Sequence, residues 1–346
     1  MSNFHKVNSN SSLLGVIRTS PEDFQVDEIQ SFTPSGQGEH VWLHIKKTGE
    51  NTDWVAAQLA KIAEVPRRDV SFAGMKDRNA VTTQWFSVQM PGREAPNWQA
   101  FLPETIEILD EKRHDRKLRR GTLEGNHFKI TIRDFKGTEE ELKASIEQIQ
   151  QQGIPNYFGE QRFGHGGFNI QKAEQWFKGE FKVKSRQKRS IYLSAARSWI
   201  FNHVLSERVK DGIWNQPVEG DIFMLDGTRS SFSEEITPII IDRVAQQDIH
   251  PTGVLWGRGR VDTQSQVAEI ENTVARKFPV LCDGLEKNGL KQERKALRLK
   301  VNNLQINSLN HLSRDDVKEL SSFCICFTLP AGAYATTVLS ELGEFS

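Results

Sequence analysis

Short runs of alternating apolar and polar residues fill the N-terminal part of the chain, and longer runs with helical spacing fill its middle. Phe24–Ile29 predicts a strand after the turn former Pro21. His40–Ile45 predicts a second, with Val41, Leu43 and Ile45 on one face. Asn51 and Thr52 are cap residues for a helix carrying Trp54, Val55, Leu59 and Ile62, which Pro66 ends. Val70–Ala73 reads as a short strand that opens at Gly74 into a polar loop, and Gln84–Met90 as the strand that leaves it. Ile106–Leu109 and Asn126–Arg133 add strands, and Glu139–Gln151 a helix.

At Gly153 the pattern changes. Residues 153–168, GIPNYFGEQRFGHGGF, hold five glycines and a proline, too many breakers for regular structure throughout. Helices are then expected at Ile170–Lys178, Ser190–Val209 and Thr263–Lys277, and strands at Asp221–Leu225, Ile236–Ile241 and Leu297–Val301. Phe323–Leu329 predicts an apolar strand, Pro330 and Gly332 a turn, and Thr336–Leu342 a terminal helix. The pattern is α+β. A strand near the C-terminus pairs most readily with strands already formed. The expected division is therefore one domain from residues 1–151 and 301–346, with residues 152–300 inserted as a second.

A chain of 346 residues exceeds the usual size of one domain, which agrees with two. With 37% hydrophobic and 26% charged residues the composition is globular and soluble. No apolar stretch approaches the roughly 20 residues of a bilayer span, so no membrane partner is expected. The start of the chain lacks the basic and apolar segments of a signal peptide, and the expected location is cytoplasmic. Cys282, Cys324 and Cys326 form no zinc-ligand pair and read as small buried thiols. The histidines form no HExxH pattern, so no metal is expected.

The formal net charge is zero, but it is unevenly spread. Residues 112–120, 178–189 and 287–300 each hold six basic residues and one acid. Three such blocks in a neutral chain suit contact with a phosphate backbone. Such contacts position a nucleic acid without selecting it. On the strand 126–132, Asn126, Phe128, Ile130 and Ile132 share one face, and a polar Asn126 at the end of an apolar face needs a partner.

The densest chemistry lies in Phe72–Gln84, FAGMKDRNAVTTQ, a polar loop between two apolar strands. Asp77 stands at its centre between the cations Lys76 and Arg78. Such a carboxylate could be a nucleophile, a general base, a metal ligand or an ion-pair partner. No second acid accompanies it within the loop, which disfavours a metal-dependent nuclease. A non-catalytic RNA-binding protein and a base-releasing RNA glycosylase stay open as rivals.

Gly74, Lys76, Asp77, Ala80, Thr82 and Gln84 match a pattern G-x-K-D-x-x-A-x-T-x-Q, and in this the loop resembles the TruD family of tRNA pseudouridine synthases. Gly153–Gly164 and Phe327–Thr336 resemble two further segments of the same family, in the same order. The resemblance implies a mixed-sheet pseudouridine synthase catalytic domain, permuted in order, with an inserted α/β domain. It implies isomerisation of uridine 13 of tRNA to pseudouridine, with Asp77 as the catalytic carboxylate and neither cofactor nor metal; a monomer is expected. Asp77 could attack C1′, stabilise its positive charge or take a ribose proton. The resemblance also makes Phe24, Asn126, Phe128 and Phe327 substrate contacts. Lys76 either orients Asp77 or holds a phosphate.

Overall fold

The computed structural model describes residues 4–8, 12–119, 122–260, 262–314 and 317–346. Among these the chain runs β1 (Leu14–Val16), β2 (Phe24–Gln30), β3 (His40–Thr48), α1 (Thr52–Ile62), β4 (Val70–Phe72), β5 (Val81–Gln89), β6 (Ile106–His114), β7 (Leu123–Lys136) and α2 (Glu139–Gln152). It continues through β8 (Ile154–Pro155), α3 (Phe168–Phe177), α4 (Arg186–Lys210), β9 (Ile222–Leu225), β10 (Ser231–Ser233), α5 (Pro238–Ala245), β11 (Ile249–Leu255), α6 (Ser265–Lys277), α7 (Pro279–Lys287), β12 (Glu293–Ala296) and β13 (Arg298–Leu299). It closes with β14 (Asn302–Arg314), β15 (Val317–Pro330), α8 (Ala335–Leu342) and β16 (Glu344–Phe345).

Two compact units result. The sheet unit comprises Ser12–Leu142, Asn302–Gly332 and Glu344–Ser346. The helical unit comprises Met1–Ser11, Lys143–Val301 and Ala333–Gly343. In the sheet unit the strands lie in the order β14-β15-β7-β2-β5-β3-β6, with β1, β4 and β16 attached. The sheet is mixed: β2 runs parallel to β5, and β7 pairs antiparallel with both β2 and β15. That register puts Phe128 opposite Val26 on one side and Phe327 on the other, and Asn126 opposite Glu28 and Leu329. Because side chains alternate along a strand, these residues share one face with Gln84 and Phe86 of β5 and with Leu43, Ile45 and Lys47 of β3. Asn51 caps α1 by accepting from Asp53 N (2.8 Å). The helix lays Val55, Ala56 and Leu59 against Val41, Leu43, Ile45, Phe86 and Val88, all fully buried.

The helical unit is built around α4, whose Ala195, Ala196, Ile200 and Val204 pack with residues of α3, α6 and α7. An antiparallel sheet β10-β9-β11-β12 and the short pair β8–β13 complete it.

Most expected elements are present, and the departures have physical causes. Ile236–Ile241 is not a strand but the start of α5. Thr237 caps it by accepting from Ile240 N (3.4 Å), Pro238 takes the first turn, and Ile240 and Val244 are buried one turn apart. Strand β14 escapes notice because an edge strand carries polar residues; Asn302, Asn303, Gln305, Asn307 and Ser308 are all exposed. The unit boundaries also differ from the expected division. The N-terminal residues belong with the helical unit because His5 N donates to Ser206 Oγ (3.0 Å) and Phe4 packs on Trp199 and His203. Val7 N binds Glu341 of α8 (3.1 Å), which places α8 there too. Cys282, Cys324 and Cys326 are buried free thiols.

Leu59→Ala should destabilise the sheet unit by about 2–5 kcal/mol, read as a shift in urea midpoint, because the cavity left under α1 cannot collapse. Ile239→Ala, at a position 71% exposed, should change the stability of the helical unit by less than about 0.5 kcal/mol.

Candidate active site

The loop between β4 and β5 is fixed from beneath by buried side chains. Gln84 of β5 turns its Nε2 back to the Gly74 carbonyl (3.2 Å). Its Oε1 accepts from Thr52 Oγ1 (3.0 Å), and that hydroxyl accepts in turn from Lys76 N (3.1 Å). Lys47 of β3, fully buried, donates from Nζ to the carbonyls of Glu50 (2.8 Å) and Asp77 (3.0 Å). Arg78 Nε donates to the Gly49 carbonyl (3.3 Å). Burial pushes the Lys47 ammonium down to about 8, against the opposing pull of Asp77 and Glu50.

These bonds hold Asp77 by its backbone and leave its carboxylate facing outward, with 45% of the side chain exposed. Neither sequence neighbour is its charge partner. Arg18 is: its Nη2 donates to Asp77 Oδ2 (2.7 Å), and its guanidinium carbon lies 4.2 Å from the centroid of the Phe24 ring. An ion pair this exposed adds at most about 1 kcal/mol of stability. Its value is orientation.

Lys76 points the other way, along the sheet face, where its Nζ donates to Asn126 Oδ1. That contact leaves the Asn126 amide nitrogen free to donate elsewhere. Burial lowers the Lys76 ammonium, opposed by Glu28 and Asp27. Glu28, opposite Asn126 in the register, accepts from Gln30 Nε2 (2.9 Å) and Trp85 N (3.3 Å). Burial raises its carboxyl to about 7 despite Lys76.

The three phenylalanines form one stack. Phe128 and Phe327 lie nearly parallel with centroids 5.2 Å apart, and Phe24 meets Phe128 edge-on at 6.4 Å. All three are buried, Phe327 completely. The structure therefore collects Asp77, Lys76, Asn126, Phe24, Phe128 and Phe327 in the sheet unit, linked through Arg18 at one end and Asn126 at the other. Sequence reasoning missed Arg18, Glu28 and Lys47. For two of them a signal existed: Phe24, Val26, Glu28 and Val41, Leu43, Ile45, Lys47 each continue an apolar alternation onto a charge. Arg18 precedes the first long strand and belongs to no periodic pattern. Among the described residues no group of three His, Cys, Asp or Glu is placed to hold a metal ion, and no helix is long and apolar enough to cross a membrane.

Comparison with known proteins places the chain in a family. The model of a family described as tRNA pseudouridine synthase D (TruD) matches residues 4–182 and 168–342. The chain is 49% identical over 332 residues to tRNA pseudouridine synthase D of Methylococcus capsulatus, covering 96% of this chain and 91% of that one. It is 43% identical over 329 residues to the enzyme of the same name from Hydrogenovibrio crunogenus, covering 95% and 92%. The fold matches the crystal structure of a TruD-type chain from Methanosarcina mazei, with a TM-score of 0.72 at 21% identity, over 98% of this chain and 95% of that one. The chain belongs to the tRNA pseudouridine synthase D (TruD) family and is an enzyme, an isomerase.

The buried Glu28 has a measurable consequence. With its carboxyl near 7 when folded and near 4.5 when unfolded, the native state keeps a proton across that window that the unfolded chain has released. Stability conferred by the protonated form is full below about 4.5 and is lost as pH rises through about 7. Glu28→Gln, which cannot ionise, should flatten this decline. Thermal melts at pH 5 and pH 7.5 should show the variant gaining on wild type at the higher pH, and equal gaps at both would reject the assignment.

Proposed function

We propose that this enzyme converts uridine 13 of tRNA to pseudouridine, with Asp77 as nucleophile and catalytic carboxylate. The observation that carries the reading is that Asp77 is half exposed and oriented by Arg18 on a loop whose backbone is locked by Lys47, Thr52 and Gln84. Preorganised groups of this kind cost no reorganisation when charge develops in the transition state. The reaction breaks the C1′–N1 bond of uridine and makes a C1′–C5 bond. N1 gains a proton and C5 loses one, so atoms and electrons balance within substrate, enzyme and water, with no cofactor.

A base inside a structured RNA must leave its stack to be reached, at a cost of a few kcal/mol. The aromatic stack of Phe24, Phe128 and Phe327 is the proposed apolar wall that offsets it, with Phe327 acting through Phe128. Asn126, its amide oxygen engaged by Lys76, is then set to donate from its nitrogen to a carbonyl of uracil. Lys76 in this reading positions Asn126 rather than Asp77.

Transcribed tRNA labelled at uridine, incubated with the enzyme in EDTA, should yield pseudouridine at position 13 after digestion and chromatography. Asp77→Ala should bind the same tRNA and convert it at least about 10³-fold more slowly. Conversion by the variant at the wild-type rate would remove Asp77 from the chemistry, and release of free uracil would identify a glycosylase instead.

A further inference from the structure

The second basic block ends on a helix that begins against the usual charge preference. The first turns of α4 hold Arg186, Lys188 and Arg189, with no acid in the first turn, where the helix dipole favours negative groups. All three are exposed, and among the described residues none has a carboxylate partner within 4 Å. The third block shows the contrast. Its Arg294 pairs with Glu271 (2.8 Å), Lys295 lies over the rings of Phe158 and Phe201, and Arg298 donates to His250 (2.9 Å). Those cations satisfy the interior of the helical unit. At the start of α4 the corresponding bond is a single ring contact, Arg189 lying 5.5 Å from the centroid of Trp176.

They border a cavity. Arg186, Arg189, Ser190, Leu193, Ser194 and Arg197 recur at helical spacing along one face of α4 and line an open cavity of about 530 Å³. Leu255 and Leu290 close it with apolar surface, and no acidic residue among those described lines it. Its size is that of pockets holding small organic groups, roughly 300–1,000 Å³. Arg197 is fixed at its far end by bonds to the Leu255 and Trp256 carbonyls (3.0 and 3.2 Å) and to Glu293 (2.9 Å). On the neighbouring face of the same turns, Lys172, Lys182, Lys184 and Lys188 line a second cavity of about 680 Å³.

We infer that the first cavity is a second RNA site, which seats one unstacked nucleotide of the substrate with its phosphate between Arg186 and Arg189. Cations at the rim, hydroxyls along the wall and an apolar floor are the chemistry that a phosphate, a ribose and a base require in turn. The lysines across the helix turn extend the cationic track to the next phosphate. A free inorganic anion would need only the rim, and the apolar floor would be unused. The inference rests on the reading of this enzyme as acting on RNA, and it assigns the helical unit a part in holding that RNA.

The test is fluorescence anisotropy with a labelled tRNA transcript between 50 and 200 mM salt, on wild type, an Arg186→Ser, Arg189→Ser double variant, and Ser190→Phe. Thermal midpoints check that each variant folds. The double variant should bind about tenfold more weakly, and its log–log salt slope should fall by about 0.7 for each phosphate it no longer neutralises. Ser190→Phe keeps every charge and fills the cavity; it should weaken binding severalfold with an unchanged slope. Wild-type affinity in Ser190→Phe would overturn the seated nucleotide and leave only a diffuse positive field. Unchanged tRNA affinity in all variants, with loss of binding to polyglutamate, would make the site one for acidic protein. Pseudouridine formation by wild type is assayed in parallel, so an enzyme that binds tRNA without converting it fails the functional reading and leaves this test intact.

Discussion

A lysine ammonium buried on an apolar sheet face is the constraint on which the site depends. Lys47 continues the Val41, Leu43, Ile45 face of β3 and has no solvent exposure. A charge removed from water must find local acceptors or be lost by neutralisation. The carbonyls of Glu50 and Asp77 are those acceptors, and burial pushes the ammonium down to about 8 against the pull of the Asp77 and Glu50 charges. Moving the loop would strip the ammonium of one of its two protein acceptors. The backbone of Asp77 is thereby tied to β3, while Thr52 and Gln84 hold the residues just before it. A stretch of polar residues that reads as mobile loop is thus seated on the core by bonds from three elements.

How much of this was legible follows from the range of the forces involved. The helix at Thr52–Ile62 and the strands β2, β3, β5 and β7 declare themselves through local periodicity, and α1 additionally through its Asn51 cap. Asp77, Lys76 and Gln84 are close together in the chain and readable as one motif. What the chain order hides is pairing across the sheet. Asp77 sits between two cations in sequence, yet its partner is Arg18, fifty-nine residues away, because β2 and β5 lie side by side and parallel. Glu28 and Asn126 meet only because β2 and β7 pair in one particular register. A slip of either strand by one residue would turn its side chain to the opposite face and part the two. The Ile236–Ile241 segment failed for a different reason: over six residues an apolar run fits either period, and the Thr-Pro start that settles it was outweighed by the run of isoleucines.

Charge was legible as an amount and not as a direction. Three blocks of equal composition have different fates. The third turns Arg294, Lys295 and Arg298 inward to satisfy Glu271, aromatic rings and His250. In the first, Arg113 donates to the Met90 carbonyl and Lys112 pairs with Asp110, while Arg120 lies outside the described residues. In the second, neighbouring cations stand exposed beside cavities that no described acid lines. Counting basic residues therefore overstates the surface available to a phosphate backbone, because a guanidinium is also the best side chain for satisfying several buried carbonyls at once.

The aromatic stack and the ion pair are best understood as one mechanical unit. Arg18 has its guanidinium on the face of Phe24 and its Nη2 on Asp77, so the carboxylate can turn only as far as Phe24 permits. Phe24 in turn abuts Phe128, and Phe128 lies flat on the fully buried Phe327. This column borders the Asn126 position, since Asn126 and Phe128 are successive residues on one face of β7. A base entering against Phe128 would meet a wall whose position already sets both Asn126 and Asp77. In the proposed function, recognition of the base and aim of the carboxylate would be the same geometric event. The fully buried Phe327 thus supports Phe128 from below, and through Phe128 it braces Phe24.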